Sequence, residues 1–257
     1  SVATYRFEDN TNDVTTNHNA TASSSITYAT GKFGRAAVFN GSSYIYAANS
    51  VQQPTKNFSA SVWVYLDSNS SNGYGIVGNF QSVSSGSQKG WVIARAGVDT
   101  KFSFWADGTV NNKGGKVVGT TVIQTGVWYH IVGTYDGTNV KIYVNGNLEN
   151  SVAYSSTPAT TNQPLVIGRW YGNYNDYYTD GKIDQVRIFD KALSPGEINS
   201  LYNETATTAA LSTISNPSTI AYYKMADATD ETGSYNGTAS NVDFNVQGKY
   251  GFAGKFN

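Results

Sequence analysis

The sequence WYHIVGTYDGTNVKIYVNG occupies residues 128–146 and contains two strand-like stretches, each followed by a glycine turn. In the second stretch, from Val140 to Val144, every other residue is apolar, as expected for a strand with one buried face. The dipeptides Asp136-Gly137 and Asn145-Gly146 favour the tight turns that join antiparallel neighbours. The segment therefore predicts consecutive antiparallel strands.

The same alternation recurs elsewhere in the chain. From Phe58 to Leu66 the even-numbered positions form one apolar face, while Trp63 and Tyr65 give aromatic mass to the other. Residues 101–106 and 182–190 are further strand-like stretches. Strands at this spacing, divided by glycine and asparagine turns, predict an all-β fold, a two-sheet antiparallel β-sandwich.

One short C-terminal helix interrupts this pattern. The residues Ser194, Pro195 and Glu197 have the arrangement of a capping box, with serine at the N-cap and glutamate three positions later. Ile198 and Leu201 then supply an apolar face. Because so short a helix is unstable alone, we expect it to pack on the sandwich.

Net charge and composition exclude several classes of function. The formal net charge is −1 and only 14% of residues are charged, so the chain lacks the basic surface that nucleic-acid binding requires. No apolar run reaches the length of a membrane span, and there is no cysteine. We therefore expect neither nucleic-acid binding nor membrane insertion. We expect any export signal to be absent or already removed, since the chain begins with a strand-like stretch.

The sequence repeats itself at a distance of 217 or 218 residues. Residues 2–7 (VATYRF) resemble 220–225 (IAYYKM), and residues 31–40 (GKFGRAAVFN) resemble 248–257 (GKYGFAGKFN). A stretch rich in Thr, Ala and Ser lies between the copies. We predict three parts: a first domain (1–204), a linker (205–219) and the N-terminal part of a second, incomplete repeat (220–257). We expect this repeat to be completed by further sequence or by another surface.

Four segments, in order, resemble laminin G-like modules of the concanavalin A-like lectin/glucanase superfamily. They are residues 5–9, 31–41, 128–146 and 181–194. The resemblance implies a jelly-roll-like sandwich of two curved sheets, a fold commonly used to bind glycans or proteins. Members occur in secreted bacterial proteins, adhesins and phage tail or virion proteins. The resemblance therefore implies an extracellular, cell-surface or virion-surface location.

The carboxylates argue against catalysis. Glycoside hydrolysis uses two carboxylates that flank the scissile bond, and related glucanases place theirs on one strand as Glu-x-Asp-x-Glu. The glutamates of this chain do not form that pattern; they are Glu8, Glu149, Glu197, Glu204 and Glu231. With two histidines and no cysteine, nucleophile–base pairs are also scarce. We therefore expect no enzymatic activity, assign no catalytic residue, and expect His130 to have a structural role.

The resemblance also implies a structural calcium site on the outer side of the sandwich, where N-terminal and C-terminal strands meet. The matching positions are Asp184, a backbone carbonyl at Gly41 or Asn40, and Glu8 or Asp9. Calcium binds carboxylate and carbonyl oxygens, so these residue types suit it. The alternative is that Asp184 caps a bulge or accepts backbone hydrogen bonds.

The strongest candidate for recognition is the segment RWYGNYNDYYTD, residues 169–180, bounded by Gly168 and Gly181. Sugars stack on aromatic rings while amides and carboxylates bind their hydroxyl groups, and Tyr and Trp also suit protein interfaces. We predict a loop here, because no strand alternation explains so many aromatic residues. The candidate ligand-binding residues are Arg169, Trp170, Tyr171, Tyr174, Asp176, Tyr177 and Tyr178.

Other roles for this segment remain open. It can cover the sandwich as a lid, pack against a neighbouring repeat, or hold calcium through Asp176 and Asp180. Three further candidates, Trp91, Arg95 and Trp105, lie on strands that we predict to line the concave face. The alternation places Trp105 opposite its neighbouring phenylalanines. The alternative for all three is a place in the core.

These observations together predict a non-catalytic carbohydrate- or surface-binding module in a tandem array, with a glycan or surface polysaccharide as partner. The alternative is a structural assembly or spacer module of a phage fibre, capsid decoration or extracellular filament. In that case the aromatic segment docks neighbouring copies of the chain on one another. Exposure of residues 169–180 favours binding, and burial against a neighbour favours assembly.

Overall fold

The computed structural model describes residues 1–24, 26–47, 57–68, 73–82, 88–96, 100–107, 115–171, 176–205, 242–247 and 252–256. Only the backbone is described for Tyr171 and Asp176. Tyr174 and most of the predicted linker lie outside these ranges. The chain forms two compact units, residues 1–203 and 204–257, which are considered separately.

The strands of the first unit are short and follow one another closely. The first ten are β1 (Ala3–Tyr5), β2 (Thr21–Ala22), β3 (Thr27–Thr30), β4 (Arg35–Asn40), β5 (Ile45–Ala47), β6 (Phe58–Leu66), β7 (Gly73–Gly78), β8 (Gln81–Ser82), β9 (Gln88–Ala96) and β10 (Lys101–Asp107). They are followed by β11 (Lys116–Val122), β12 (Trp128–Tyr135), β13 (Asn139–Val144), β14 (Asn147–Ala153), β15 (Leu165–Ile167), β16 (Arg169–Tyr171), β17 (Asp176–Tyr178), β18 (Asp180–Phe189) and helix α1 (Pro195–Tyr202).

These strands build two sheets. Sheet 1 has the order β14-β13-β12-β6-β18-β4-β3, with β1 also paired to β18. Sheet 2 has the order β17-β16-β8-β9-β7-β15-β5-β2, and β10 pairs with both β9 and β11. Apart from one parallel pair, Tyr171 with Gln81, the pairings within the sheets are antiparallel. The predicted two-sheet antiparallel sandwich is confirmed.

The apolar core fills the space between the sheets. Strand β6 contributes its even-numbered residues from Phe58 to Leu66, as the alternation predicted. Its other face carries Trp63, which is buried on the outer side of sheet 1. There the Trp63 ring lies 5.0 Å from the His130 ring and 5.8 Å from the Tyr202 ring. Both faces of β6 are therefore covered.

The predicted capping box is confirmed at the start of α1. The Ser194 side chain accepts a hydrogen bond from the backbone N–H of Glu197, and the Glu197 side chain accepts one from the backbone N–H of Ser194. Ile198 is buried against the outer face of sheet 1 with Val132 and Tyr143. The helix gains its stability from this packing, as expected for eight residues.

The second unit is described as one antiparallel hairpin of β19 (Val242–Gln247) and β20 (Phe252–Phe256). Val246 pairs with Ala253 in this hairpin, and Ala29 pairs with Ala36 in the hairpin of β3 and β4. An offset of 217 residues relates both members of the first pair to those of the second. The two hairpins thus share a register at Val246–Ala253 and Gln247–Phe252, whereas a register shift between Asp243 and Val246 displaces the remaining pairs of β19 and β20 by one residue.

The described part of the chain contains no helix that is both long and apolar enough to cross a membrane.

A pH dependence follows from His130, which is buried and whose Nε2 atom lies 2.9 Å from the Ser61 hydroxyl. Burial, with the Arg187 and Lys32 charges, lowers the His130 pKa from 6.5 to about 3. Its stabilising contribution is therefore complete above pH 6.5 and is lost as the pH falls towards 3. We predict that the stability difference between wild type and His130→Phe changes by about 1.4 kcal/mol per pH unit from pH 6 to pH 4.

Urea denaturation at several pH values measures this difference. Ser61→Ala is the control, since it removes the hydroxyl partner but keeps the titrating ring. A wild-type curve parallel to that of His130→Phe over this range would contradict a buried, neutral histidine.

Candidate functional site

Strands β16 (Arg169–Tyr171) and β17 (Asp176–Tyr178) pair with each other, so the prediction of a loop is wrong for these residues, and we call the two paired strands the hairpin. Arg169 pairs with Tyr178 and Trp170 pairs with Tyr177 across β16 and β17. The backbone N–H of Thr179 donates to the carbonyl of Gly168 at 2.8 Å and closes the base of the hairpin. Because neighbouring pairs point to opposite faces of a ribbon, the aromatic residues divide into two groups.

The hairpin crosses the outer face of sheet 2 at Gly75 of β7. A Cβ atom at Gly75 would overlap the backbone nitrogen and Cβ of Trp170. The Thr179 hydroxyl donates to the Gly75 carbonyl at 2.7 Å, and the backbone N–H of Gly168 donates to the Ile76 carbonyl at 2.8 Å. The hairpin therefore stands fixed on the sheet, and we call it the aromatic ridge.

One side of the ridge, the tryptophan flank, consists of Trp170, Tyr177, Phe80 and Trp105. The Trp170 ring lies 5.1 Å from Tyr177, 5.6 Å from Phe80 and 5.0 Å from Trp105. Val92 and Ala94 of β9 lie beneath these rings in the same cluster. Trp105 is only 8% exposed, while Trp170 and Tyr177 are half-buried. Trp170 and Tyr177 thus keep part of their ring surface accessible.

The opposite side, the tyrosine flank, consists of Tyr44, Tyr46, Arg169 and Tyr178. The Arg169 Cζ atom lies 3.6 Å from the centroid of the Tyr44 ring. Tyr44 also lies 6.0 Å from Tyr46 and 6.4 Å from Tyr178. Sequence reasoning identified Arg169 and Tyr178 but missed Tyr44 and Tyr46. The signal was present, since Ile45 and Ala47 alternate with these tyrosines.

The strand residues predicted to line the concave face have different positions. Trp105 faces outward and belongs to the tryptophan flank, as its alternation predicted. Trp91 is 0% exposed and packs between the sheets, 5.8 Å from Phe58, so its prediction as a ligand-binding residue is wrong. Arg95 shares that inward face, is buried, and lies with its Cζ atom 5.8 Å from the Tyr74 ring. Its prediction as a surface ligand contact is wrong for the same reason.

Asp184 lies at a second notable position, beneath the turn of residues 31–34. Its carboxylate is fully buried and accepts a hydrogen bond from the backbone N–H of Phe33 at 2.9 Å. Burial, which is the largest cause, raises the Asp184 pKa to about 7, and the Glu8 carboxylate contributes in the same direction. The Oδ1 atom has no hydrogen-bond partner among the described residues. Asp184 therefore matches the alternative reading, a backbone hydrogen-bond acceptor, with one oxygen still available.

Asp184 also marks a bulge. The pairing of β18 with β6 shifts between Asp184 and Arg187, and Gln185 has a positive φ of 48°. Phe7 and Asp9, on either side of Glu8, have positive φ values of 56° and 60°. Non-glycine residues with positive φ are uncommon, so the backbone is strained on both sides of this carboxylate pair.

Two predicted metal ligands are placed elsewhere. Ile183 pairs with Ala37, whereas Asp180 pairs with Asn40. Gly41 is consequently about five residues from Asp184 along the paired strands, roughly 16 Å at about 3.3 Å per residue. The prediction of Gly41 as a ligand beside Asp184 is therefore wrong. The Asp9 carboxylate forms an ion pair with Arg35 at 3.0 Å and is largely exposed. The structure therefore assigns this carboxylate to Arg35 and not to a metal ion.

Glu8 remains near Asp184. Its Oε2 atom accepts a hydrogen bond from the backbone N–H of Arg35 at 3.2 Å, and its carboxylate lies against Gly34. No group of three or more acidic or histidine side chains that could hold a metal occurs among the described residues. Any ion at Asp184 and Glu8 would therefore need backbone carbonyl oxygens as well.

Two other glutamates have structural contacts. The Glu149 carboxylate on β14 accepts from the backbone N–H of Thr120 at 2.7 Å and from that of Thr121 at 3.1 Å, so it joins an edge of sheet 1 to β11. Glu197 caps α1 and contacts Lys191. These contacts explain both carboxylates without a catalytic role.

The family model Laminin_G_3, described as the concanavalin A-like lectin/glucanases superfamily, matches residues 39–199, more than half of the chain. The chain belongs to this superfamily. The resemblance inferred from the four sequence segments is therefore confirmed. No curated protein matches this chain in sequence.

Among solved structures, the chain is similar to domain 4 of AbnA, a GH43 extracellular arabinanase from Geobacillus stearothermophilus, solved in complex with arabinotriose. The identity is 26% and the TM-score 0.64, over 79% of this chain and 98% of that domain. The binding domain of Paraclostridial Mosquitocidal Protein 1 has 20% identity and a TM-score of 0.63, over 79% of this chain and 51% of that one. The receptor binding domain of botulinum neurotoxin D has 17% identity and a TM-score of 0.57, over 79% and 53%.

The similarities to the two toxin domains show a shared fold alone. This chain spans about half the length of each of those domains. The fold is thus one that occurs in domains of extracellular and receptor-binding proteins. Similarity to the arabinanase domain extends over nearly all of that domain.

The anchoring of the ridge generates a stability prediction. Thr179→Val keeps the shape of the buried side chain but removes the hydroxyl that donates to the Gly75 carbonyl. We predict a loss of about 1–3 kcal/mol in the free energy of unfolding, because a buried acceptor loses its partner. Thr179→Ser is the matched control, since it keeps the donor. Equal stability of the two variants in urea denaturation would show that this hydrogen bond does not anchor the ridge.

Proposed function

We propose that residues 1–203 form a non-catalytic module that binds oligosaccharides at the aromatic ridge. The observation that carries the proposal is the ridge itself, a hairpin fixed on the outer face of sheet 2 whose aromatic rings remain half-exposed. Trp170, Tyr177 and Tyr178 have this intermediate exposure. Sugar rings pack their C–H faces against such rings, and rigid Tyr and Trp side chains lose little entropy on binding.

The comparisons support the carbohydrate class of ligand. The arabinanase domain that this chain resembles over 79% of its length was solved with arabinotriose. Its parent enzyme is described as extracellular, which supports an extracellular or surface location for this module. The contacts of Glu149 and Glu197 support a non-catalytic role, since these carboxylates hold structure together.

Tyr177→Ala tests the ridge, because it removes a half-exposed ring from the tryptophan flank without opening the core between the sheets. We predict that the affinity for arabinotriose, measured by isothermal titration calorimetry, falls at least about tenfold. A glycan array identifies a better ligand if arabinotriose binds weakly, and the same variant is then tested with that ligand.

Trp128→Ala is the matched control, since Trp128 is a half-buried aromatic residue on sheet 1. Its affinity is expected to equal that of the wild type. If the wild type binds no glycan on the array, carbohydrate binding is rejected. The assembly of neighbouring copies, in which the ridge contacts another module, then becomes the leading hypothesis.

A structural calcium ion at Asp184 and Glu8 is a second proposal. It is supported by the buried Asp184 Oδ1 atom without a described partner, by the second carboxylate nearby, and by the strained backbone at Phe7, Asp9 and Gln185. Backbone carbonyls of the turn at residues 31–34 would complete the oxygen ligands. A bound ion would neutralise the two carboxylates and join the N-terminal segment to β18.

Calcium removal tests this second proposal. At a calcium concentration about 100 times the dissociation constant, binding stabilises the native state by about 2.7 kcal/mol, or roughly 5–10 °C in Tm for this size of domain. We predict that chelator lowers the Tm by this amount and that Asp184→Asn abolishes the response. Asp9→Asn, the control, should retain it. An unchanged Tm on chelation contradicts the proposal.

We also propose that residues 220–257 begin a second module in a tandem array, as the sequence repeat predicts. The register that the two hairpins share at Val246–Ala253 and Gln247–Phe252 supports this proposal. An array of modules would raise avidity for a repetitive polysaccharide without any new contact.

A further inference from the structure

The tyrosine flank is chemically distinct from the rest of the ridge. It joins Tyr44 and Tyr46, from the start of sheet 2, to Arg169 and Tyr178 on the hairpin. Tyr46 is 38% exposed, and Tyr44 and Tyr178 are half-buried. Single exposed aromatic residues are ordinary on protein surfaces, but adjoining rings from distant parts of the chain form a continuous surface.

Strand β5 determines which way these tyrosines point. Ile45 and Ala47 are buried in the core between the sheets, so Tyr46 projects from the opposite face. Tyr46 pairs with Val166 of β15 and with Thr21 of β2. The backbone of Tyr46 is therefore held in regular sheet before any ligand binds, which reduces the entropy lost on binding.

Arg169 determines the position of Tyr44. Its guanidinium group stacks on the Tyr44 ring at 3.6 Å and also lies 5.8 Å from the Tyr178 ring. Arg169 is only 6% exposed, so this group lies beneath the flank. A planar cation in this position attracts the ring faces and holds them in place. Arg169 is consequently a positioning residue, and the accessible surface of the flank is tyrosine.

The exposed chemistry of the flank suits a neutral sugar. Tyrosine offers a ring for C–H packing and one hydroxyl that can donate or accept a hydrogen bond, which matches the alternating apolar and hydroxyl surfaces of an uncharged saccharide. Recognition of a carboxylated or sulfated sugar would instead use accessible Arg or Lys donors. Arg169 is too deeply covered to supply them.

We propose that the tyrosine flank is a second subsite for a neutral oligosaccharide, on the opposite face of the hairpin from the tryptophan flank, with Tyr46 and Tyr178 as contact residues. This inference rests on the proposed function of the ridge. It extends that function by naming a further subsite outside residues 169–180 and by assigning the charge class of the ligand at that subsite; Lys116, whose Nζ lies 4.9 Å from the Trp105 ring, belongs to the tryptophan flank.

Tyr46→Ala is the decisive variant, because Tyr46 is the most exposed ring of the flank and its removal leaves the core intact. The probes are linear neutral arabino-oligosaccharides, and oligogalacturonides of equal length serve as the anionic comparison. We expect Tyr46→Ala to weaken binding of the neutral probe about tenfold with an unchanged Tm. Tyr178→Ala should act in the same direction, and Tyr65→Ala, a half-buried tyrosine on sheet 1, should have no effect.

The outcomes separate this inference from the proposed function. If Tyr177→Ala abolishes binding but Tyr46→Ala and Tyr178→Ala bind as the wild type does, the second subsite is rejected and the ridge retains its function. If no glycan binds the wild type, both are rejected. If oligogalacturonides bind more tightly than the neutral probe, and Arg169→Gln or high salt removes that preference, the neutral assignment is overturned. If the neutral probe binds more tightly than the oligogalacturonides and Tyr46→Ala loses this binding, the second subsite and its neutral ligand are supported.

Discussion

The apolar layer between the two sheets fixes the direction of the side chains on both outer faces. A strand that buries alternate residues in this layer must present the intervening ones outward. In β9, burial of Trp91 and Ile93 places Val92 and Ala94 beneath the tryptophan flank. In β5, burial of Ile45 and Ala47 places Tyr46 on the outer surface. The floor of the candidate site is thus a direct consequence of core packing.

The ridge depends on a further constraint, the close approach of two backbones. The hairpin can cross β7 only because residue 75 has no side chain, and hydrogen bonds at Thr179 and Gly168 hold the crossing. This contact joins segments nearly one hundred residues apart in sequence. It places β16 and β17 on the sheet as a ribbon with two different faces. Such preorganisation favours binding because the ligand need not order the surface.

The stability contributions of two buried groups on sheet 1, His130 and Asp184, depend on pH in opposite senses. His130, with its pKa lowered to about 3, contributes stability that is lost as the pH falls below 6.5. Asp184, with its pKa raised to about 7, contributes stability that is complete below about pH 3.8 and is lost as the pH rises through 7. Between these limits the two contributions oppose each other.

The sequence by itself determined the strand pattern, the capping box of α1, the superfamily and the concentration of aromatic residues in 169–180. These follow from local periodicity, turn residues and motif order, which need no knowledge of distant contacts. It could not determine that Trp91 and Arg95 face the core, because β9 carries apolar residues on both faces. Nor could it show that Gly41 is far from Asp184, since that distance is set by strand register. Only the tertiary structure brought Tyr44 against Arg169 and Tyr178, because a surface assembled from separate strands exists only once those strands have paired.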